Sequence, residues 1–226
     1  MKKLILALTV LGVAWAAPAV NKAELEIKAQ KLIAKFQRMQ EKPDKRVPAD
    51  ALRKARGIIL LDRTKAGFVF AFQGGGGIAM VKDKKDKWGP IAFLQSNEGS
   101  IGFQIGGQQS FLVILLMNDA STKTLIADSA FEVGGEARGT AGDTSAGTEG
   151  KFDSIERGVQ VYDDRKGLFG GAALKAGALE PNHDENFVYY GAPVTMQEIL
   201  FDKKVKASDT ATRLARKIEE LEKSAD

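Results

Sequence analysis

The middle of the chain is a series of apolar runs too short to be helices, closed at nearly every end by Gly, Asn or Asp. "IILL" (58–61), "GFVFAF" (67–72), "WGPIAFLQ" (88–95), "GSIGFQIGG" (99–107), "SFLVILLMN" (110–118), "TLIADSAFEVGG" (124–135), "GVQVY" (158–162) and "FVYYGAPV" (187–194) follow one another. β-Branched and aromatic residues in such runs predict strands, and the punctuation predicts turns between them. Helical spacing is confined to the two ends. The expected fold is therefore α+β: a mainly antiparallel, glycine-rich curved sheet, barrel-like or sandwich, flanked by N-terminal and C-terminal amphipathic helices.

The N-terminal helix is predicted over Asn21–Glu41, where Leu25, Ala29, Leu32, Phe36 and Met39 recur three or four residues apart. Lys28, Lys31, Lys35, Arg38 and Lys42 follow the same spacing about a quarter-turn away, a basic ridge beside the apolar stripe. That combination suits a helix docked on a core, and it equally suits one lying in a membrane interface. Pro48 and Gly57 bracket a short second helix. Thr195 and Glu198 stand at capping-box spacing before another, and Leu214, Ile218 and Leu221 form the stripe of the last.

Before the first helix, "MKKLILALTVLGVAWA" has two lysines, a short apolar run and small residues around Trp15. This pattern predicts a signal peptide over residues 1–16 and export to the periplasm or beyond. The chain has no cysteine, so neither a disulfide framework nor a lipid-modified cysteine is available. Its formal net charge is +4, two units of which belong to Lys2 and Lys3. Charge is unevenly placed: Ala17 to Lys87 holds seventeen Lys plus Arg against eight Asp plus Glu, whereas Trp88 onward holds fourteen against twenty-one. A basic first half predicts an anionic partner unless the fold mixes the two halves.

Motifs for catalysis fail on spacing. The four glycines of "FQGGGGIAM" invite comparison with a phosphate-binding loop, but Ile78, Ala79 and Met80 stand where Lys, Ser or Thr and a helix are needed. A tight or bulged turn is expected there instead. "GDTSAG" places two residues between Gly142 and Ser145, one too many for a nucleophile elbow. His183, the single histidine, lies in "PNHDEN", expected as a polar turn. One histidine and no cysteine make a zinc site an unpromising expectation, and no metal, cofactor or nucleic acid is predicted. Carboxylate pairs meet only in space, so the sequence alone leaves glycoside chemistry open.

"ARGIILL", "GFVFAFQGGGGIAMV", "WGPIAFLQSNEGSIGFQIGGQ", "FEVGGEA", "YDDRKGLFGGAAL" and "NFVYYG" occur in the order and spacing of the SYLF domain, which the chain resembles from about Val47 to Leu200. "KGLF" (166–169) and "YYG" (189–191) are the most specific parts. Tyr162-Asp163-Asp164-Arg165 stands where family members often read Tyr-Ser-Arg-Ser, and the small-residue segment 132–150 lacks a usual Gly-Pro. The resemblance implies lipid binding without catalysis. Eukaryotic members bind phosphoinositides, with an amphipathic helix at the domain's start implicated, and fungal members also bind actin. Affinity for anionic phospholipid transfers most directly, because the basic amphipathic helix is present on its own account.

The resulting expectation is three segments: a signal peptide (1–16), a basic helix with linker (17–46) and a SYLF-like domain with its C-terminal helix (47–226). The protein would be non-enzymatic and peripheral to a membrane. Leu25, Leu32, Phe36 and Met39 would enter the acyl boundary while Lys28, Lys31, Lys35 and Arg38 sit among anionic phospholipid or phosphoinositide-like headgroups. The alternative is an envelope scaffold or protein-interaction module whose helix docks on a protein or on its own core.

Overall fold

The structure is a computed structural model, which describes residues 20–67, 71–100, 106–126, 131–132, 158–164, 167–169 and 178–224. The expected signal peptide, nearly all of the small-residue segment, and Arg165 and Lys166 lie outside the described residues.

Helix α1 (Lys22–Gln40) and the short α2 (Ala49–Lys54) precede four long strands: β1 (Gly57–Gly67), β2 (Ala71–Val81), β3 (Ala92–Ser100) and β4 (Gly106–Leu116). Helix α3 (Asp119–Lys123) continues into a 3-10 turn at Thr124–Ile126, followed by the short strands β5 (Phe131–Glu132), β6 (Val159–Asp163), β7 (Gly167–Phe169) and β8 (Ala178–Pro181). Helices α4 (His183–Tyr190), α5 (Met196–Leu200) and α6 (Asp209–Lys223) close the described chain. All pairings are antiparallel, in the order β5-β8-β3-β2-β1-β4-β6-β7. The α+β class, the antiparallel sheet and the helices at both ends are as expected. Among the described residues there is one open sheet, not a closed barrel or a two-sheet sandwich.

Continuous apolar strands such as "IILL" are explained by burial on both faces. Ile58, Leu60, Ile78, Met80, Phe93, Phe111, Val113 and Leu115 point to a layer built from α1, α2, α4 and α6. Ile59, Leu61, Ala79, Val81, Leu94, Leu112, Ile114 and Leu116 point to a smaller layer around Leu125 and α5.

Three expectations are corrected. The four glycines are not a turn: Gly74 to Gly77 lie inside β2, paired with Thr64 to Leu61 of β1 and Asn97 to Leu94 of β3. A Cβ on Gly77 would stand 2.7 Å from the Leu60 carbonyl oxygen, and one on Gly76 would stand 2.7 Å from Lys28 Cε, so the strand is bare because backbone and a crossing side chain occupy the space. "FVYYGAPV" is not a strand. Its aromatic residues close α4, which the Asn182 side chain caps by accepting from Glu185 N–H and which Gly191 ends at φ 69°. Among the described residues of "TLIADSAFEVGG" only Phe131–Glu132 is strand; Thr124–Ile126 is a 3-10 turn, because Asn118 and Ser121 form a capping box that starts α3 just before it.

Candidate membrane-facing surface

Asn21 starts α1: its side chain accepts from Glu24 N–H at 3.0 Å while the Glu24 carboxylate accepts from Asn21 N–H at 3.1 Å. The apolar stripe then runs directly onto the sheet. Leu25, Leu32, Phe36 and Met39 are each 3% exposed or less and belong to the core with Ile58, Leu60 and Phe111. In this conformation these four side chains, expected at an acyl boundary, face the sheet. Their burial is worth on the order of 6 to 12 kcal/mol, which is comparable to the whole net stability of a domain. Withdrawing them would also bare the sheet face beneath, so docking on the core is the arrangement that wins. This is the outcome expected of the scaffold alternative.

The basic ridge divides in two. Lys28 crosses over Gly76 to the Glu185 carboxylate of α4 at 2.6 Å, and Lys35 pairs with Asp62 of β1. Both are half-buried and hold α1 down. Lys31 and Arg38 are exposed, with no ion pair among the described residues, and Lys42 is exposed just past the helix. Lys31 and Arg38 are two turns apart, so their heads share one side of α1.

On its other flank α1 is fixed by a polar cluster. The Glu26 carboxylate accepts from Tyr189 Oη at 2.7 Å and from the Thr210 hydroxyl, and Arg213 donates to Thr210 at 2.9 Å. Burial raises the Glu26 carboxyl, but hydrogen bonds from Thr210, Tyr189 and Gln30 and the Arg213 charge outweigh it, leaving its pKa below the ordinary 4.5. The "YYG" motif is thereby structural. Tyr189 packs edge-on against Phe93, Tyr190 donates to the Ile91 carbonyl, and burial pushes both phenols up.

A cleft of about 570 Å³ opens where the C-terminal end of α1 meets β1, β4 and the end of β6. Lys35, Arg38 and Lys42 line it together with Glu41, Asp62 and Asp164, so the charges balance and the cleft does not concentrate anions.

The "KDKKDK" segment (82–87) is a hairpin tip, as expected, with an internal order that the sequence did not convey. Lys82 points inward, its side chain 2% exposed, with Nζ 3.0 Å from Glu222 of α6 and 4.9 Å from the Trp88 ring centroid. Asp83 accepts from the backbone N–H groups of Lys85 and Lys87 at 2.8 and 2.9 Å and pairs with Lys203. The Lys203 hydrogen bond, then those backbone donors, hold the Asp83 carboxyl down to about 2. Asp86, at φ 60°, pairs with Arg56 at 2.9 Å. Lys84, Lys85 and Lys87 are left exposed.

His183 is exposed at the first turn of α4 and makes no hydrogen bond to a serine among the described residues. No group of three His, Cys, Asp or Glu that could hold a metal ion is found among the described residues, and no described helix is long and apolar enough to cross a membrane. Sequence reasoning missed Glu185, Asp62 and Glu222 as partners of the basic first half. For Glu185 and Glu222 the only sequence signal was the opposite charge of the second half, and Asp62, inside the first half, had none.

No solved structure matches the chain. A protein-family model described as "Ysc84: Las17-binding protein actin regulator" matches residues 97–221, a segment that begins after α1 and the hairpin. SH3 domain-containing YSC84-like protein 1 of Homo sapiens is 30% identical over 188 residues, covering 81% of this chain and 54% of its own; the Rattus norvegicus protein matches at the same identity, covering 55% of its own length. LAS seventeen-binding protein 3 of Saccharomyces cerevisiae is 27% identical over 179 residues, covering 76% of this chain and 39% of its own. The chain thus spans about half the length of the animal relatives and less of the yeast one. With a family model covering more than half of its length and relatives 30% identical across four-fifths of it, the chain belongs to the Ysc84 family, whose SYLF motifs it carries.

Proposed function

We propose that this chain is an exported, non-enzymatic binding module that meets anionic phospholipid at a membrane surface by charge, with α1 resting on the headgroups and its apolar stripe kept in the core. The observation that carries this is the split ridge: Lys28 and Lys35 are engaged in ion pairs, while Lys31 and Arg38 face outward two turns apart. Each outward cation near an anionic bilayer contributes about 1 kcal/mol, so the attraction is modest, additive and sensitive to salt. Export rests on the signal-peptide pattern of residues 1–16.

Co-sedimentation with phosphatidylcholine vesicles, with and without phosphatidylglycerol, tests the reading. Binding is expected only to the phosphatidylglycerol vesicles and is expected to fall as salt rises. Lys31→Glu with Arg38→Glu should weaken it without lowering the melting temperature. Lys35 is left out of that variant, because its pair with Asp62 is structural.

A second reading has its own support. The buried stripe is what a protein-interaction module would show, the description of the family model and the name of the yeast relative refer to binding a protein, and Ile27 and Phe187 remain 50% and 51% exposed. Failure of the wild type to bind either vesicle would favour it.

A further inference from the structure

We infer that the Lys82–Lys87 hairpin is a second, preformed cationic contact for the same membrane surface, an inference that rests on the anionic-surface reading above. In the sequence this segment alternates signs and looks self-neutralising. Folding gives both acids cationic partners outside the tip. Asp83 is turned onto Lys203 and the hairpin's own N–H groups, and Asp86 onto Arg56. Lys82 is the one lysine of the four drawn inside, where Glu222 meets it. Lys84, Lys85 and Lys87 face solvent, three like charges within four residues beside an Asp86 carboxylate that stays exposed in its pair with Arg56, on a turn braced by the Lys82 to Trp88 bridge and by hydrogen bonds from Asp86 N–H to Asp83 O at 3.0 Å and from Asp83 N–H to Lys87 O at 2.9 Å.

Like charges fixed this closely repel one another, and an extended anionic surface relieves that repulsion for all three at once. The chemistry favours a bilayer over nucleic acid. Trp88, the aromatic residue beside the tip, is buried under Lys82, so no ring is offered for base stacking. Lysine ammoniums on flexible stems suit mobile headgroups, which require charge and no fixed fork geometry.

The experiment compares the full chain with Lys84→Gln/Lys85→Gln/Lys87→Gln and, separately, with Lys31→Gln/Arg38→Gln, by flotation on phosphatidylcholine vesicles carrying phosphatidylglycerol as a minority lipid. Loss of three surface cations should lower the partition coefficient by on the order of a hundredfold, and the α1 pair by roughly thirtyfold. The hairpin variant should also show a shallower salt dependence and an unchanged melting temperature. Wild-type binding that the hairpin variant retains in full overturns the inference and leaves the functional reading standing. Wild-type indifference to phosphatidylglycerol overturns both.

Discussion

α1 and the Lys82–Lys87 hairpin are both written in lysine, yet the fold uses them in opposite ways. On α1 it is the cations that are drawn inward: Lys28 and Lys35 tie the helix to α4 and β1. On the hairpin it is the acids that are paired off, Asp83 with Lys203 and the still-exposed Asp86 with Arg56, while Lys82 alone among the lysines is drawn inward. A run of charge in sequence therefore states which signs are present and leaves open which sign meets solvent. That is decided by partners far along the chain, Glu185 and Glu222 in these cases.

The largest test breaks the claim that α1 is core. Phe36→Ala should cost about 3 to 5 kcal/mol, read as a lowered urea midpoint with an unchanged slope, because the ring is 0% exposed. A loss below about 1 kcal/mol would mean that α1 detaches readily and would restore the insertion model. Asn186→Ala should cost about 2 kcal/mol in the same measurement. Its buried amide accepts from Phe93 N–H at 2.8 Å and donates to Phe93 O at 3.1 Å, beside the point where β8 stops pairing with β3.

Within the ridge, Lys28→Glu should destabilise by about 1 kcal/mol, since it sets a carboxylate against Glu185 at a half-open site, whereas Lys31→Glu should change nothing measurable. Equal effects would erase the division between inward and outward cations.

The smallest effect is one of pH. Asp83 is depressed from an ordinary 3.8 to about 2, and Glu26 lies below 4.5. Both carboxylates bind protons more weakly folded than unfolded, so their contribution is complete above the ordinary carboxylate range and fades as pH falls toward 2. The melting temperature should decline along that limb, and Asp83→Asn should flatten part of it. A limb identical in Asp83→Asn would show that the hairpin's inward acid is not held as described.

The architecture was legible where one physical signal ruled. Spacing gave α1 and α6, and capping-box residues gave α5. The sheet followed from short apolar runs, but α4 did not, because its Phe187, Val188, Tyr189 and Tyr190 carry strand propensity while Asn182 and Gly191 carry the boundary signal. The glycine run misled for a related reason. Glycine commonly marks turns, and only the crossing of Lys28 and the closeness of Leu60 O explain why a strand interior needs it. For the candidate surface, sequence found the basic residues and could not sort them, since a quarter-turn from the apolar stripe is where a lysine can reach either solvent or an acid on the neighbouring element. The charge asymmetry between the halves was likewise mixed by the fold: Lys28 with Glu185, Arg56 with Asp119 and Lys82 with Glu222 each join the basic first half to the acidic second.

Gly76 gives the sheet a surface that it does not itself encode. With no side chain at that position, the group lying over β2 is the stem of Lys28, lent by a helix. A single change at position 28 thus alters what covers the strand while every strand residue and its pairing stays as it was. At that one position the strand is a bare template, and its covering chemistry is set by the helix residue lying across it.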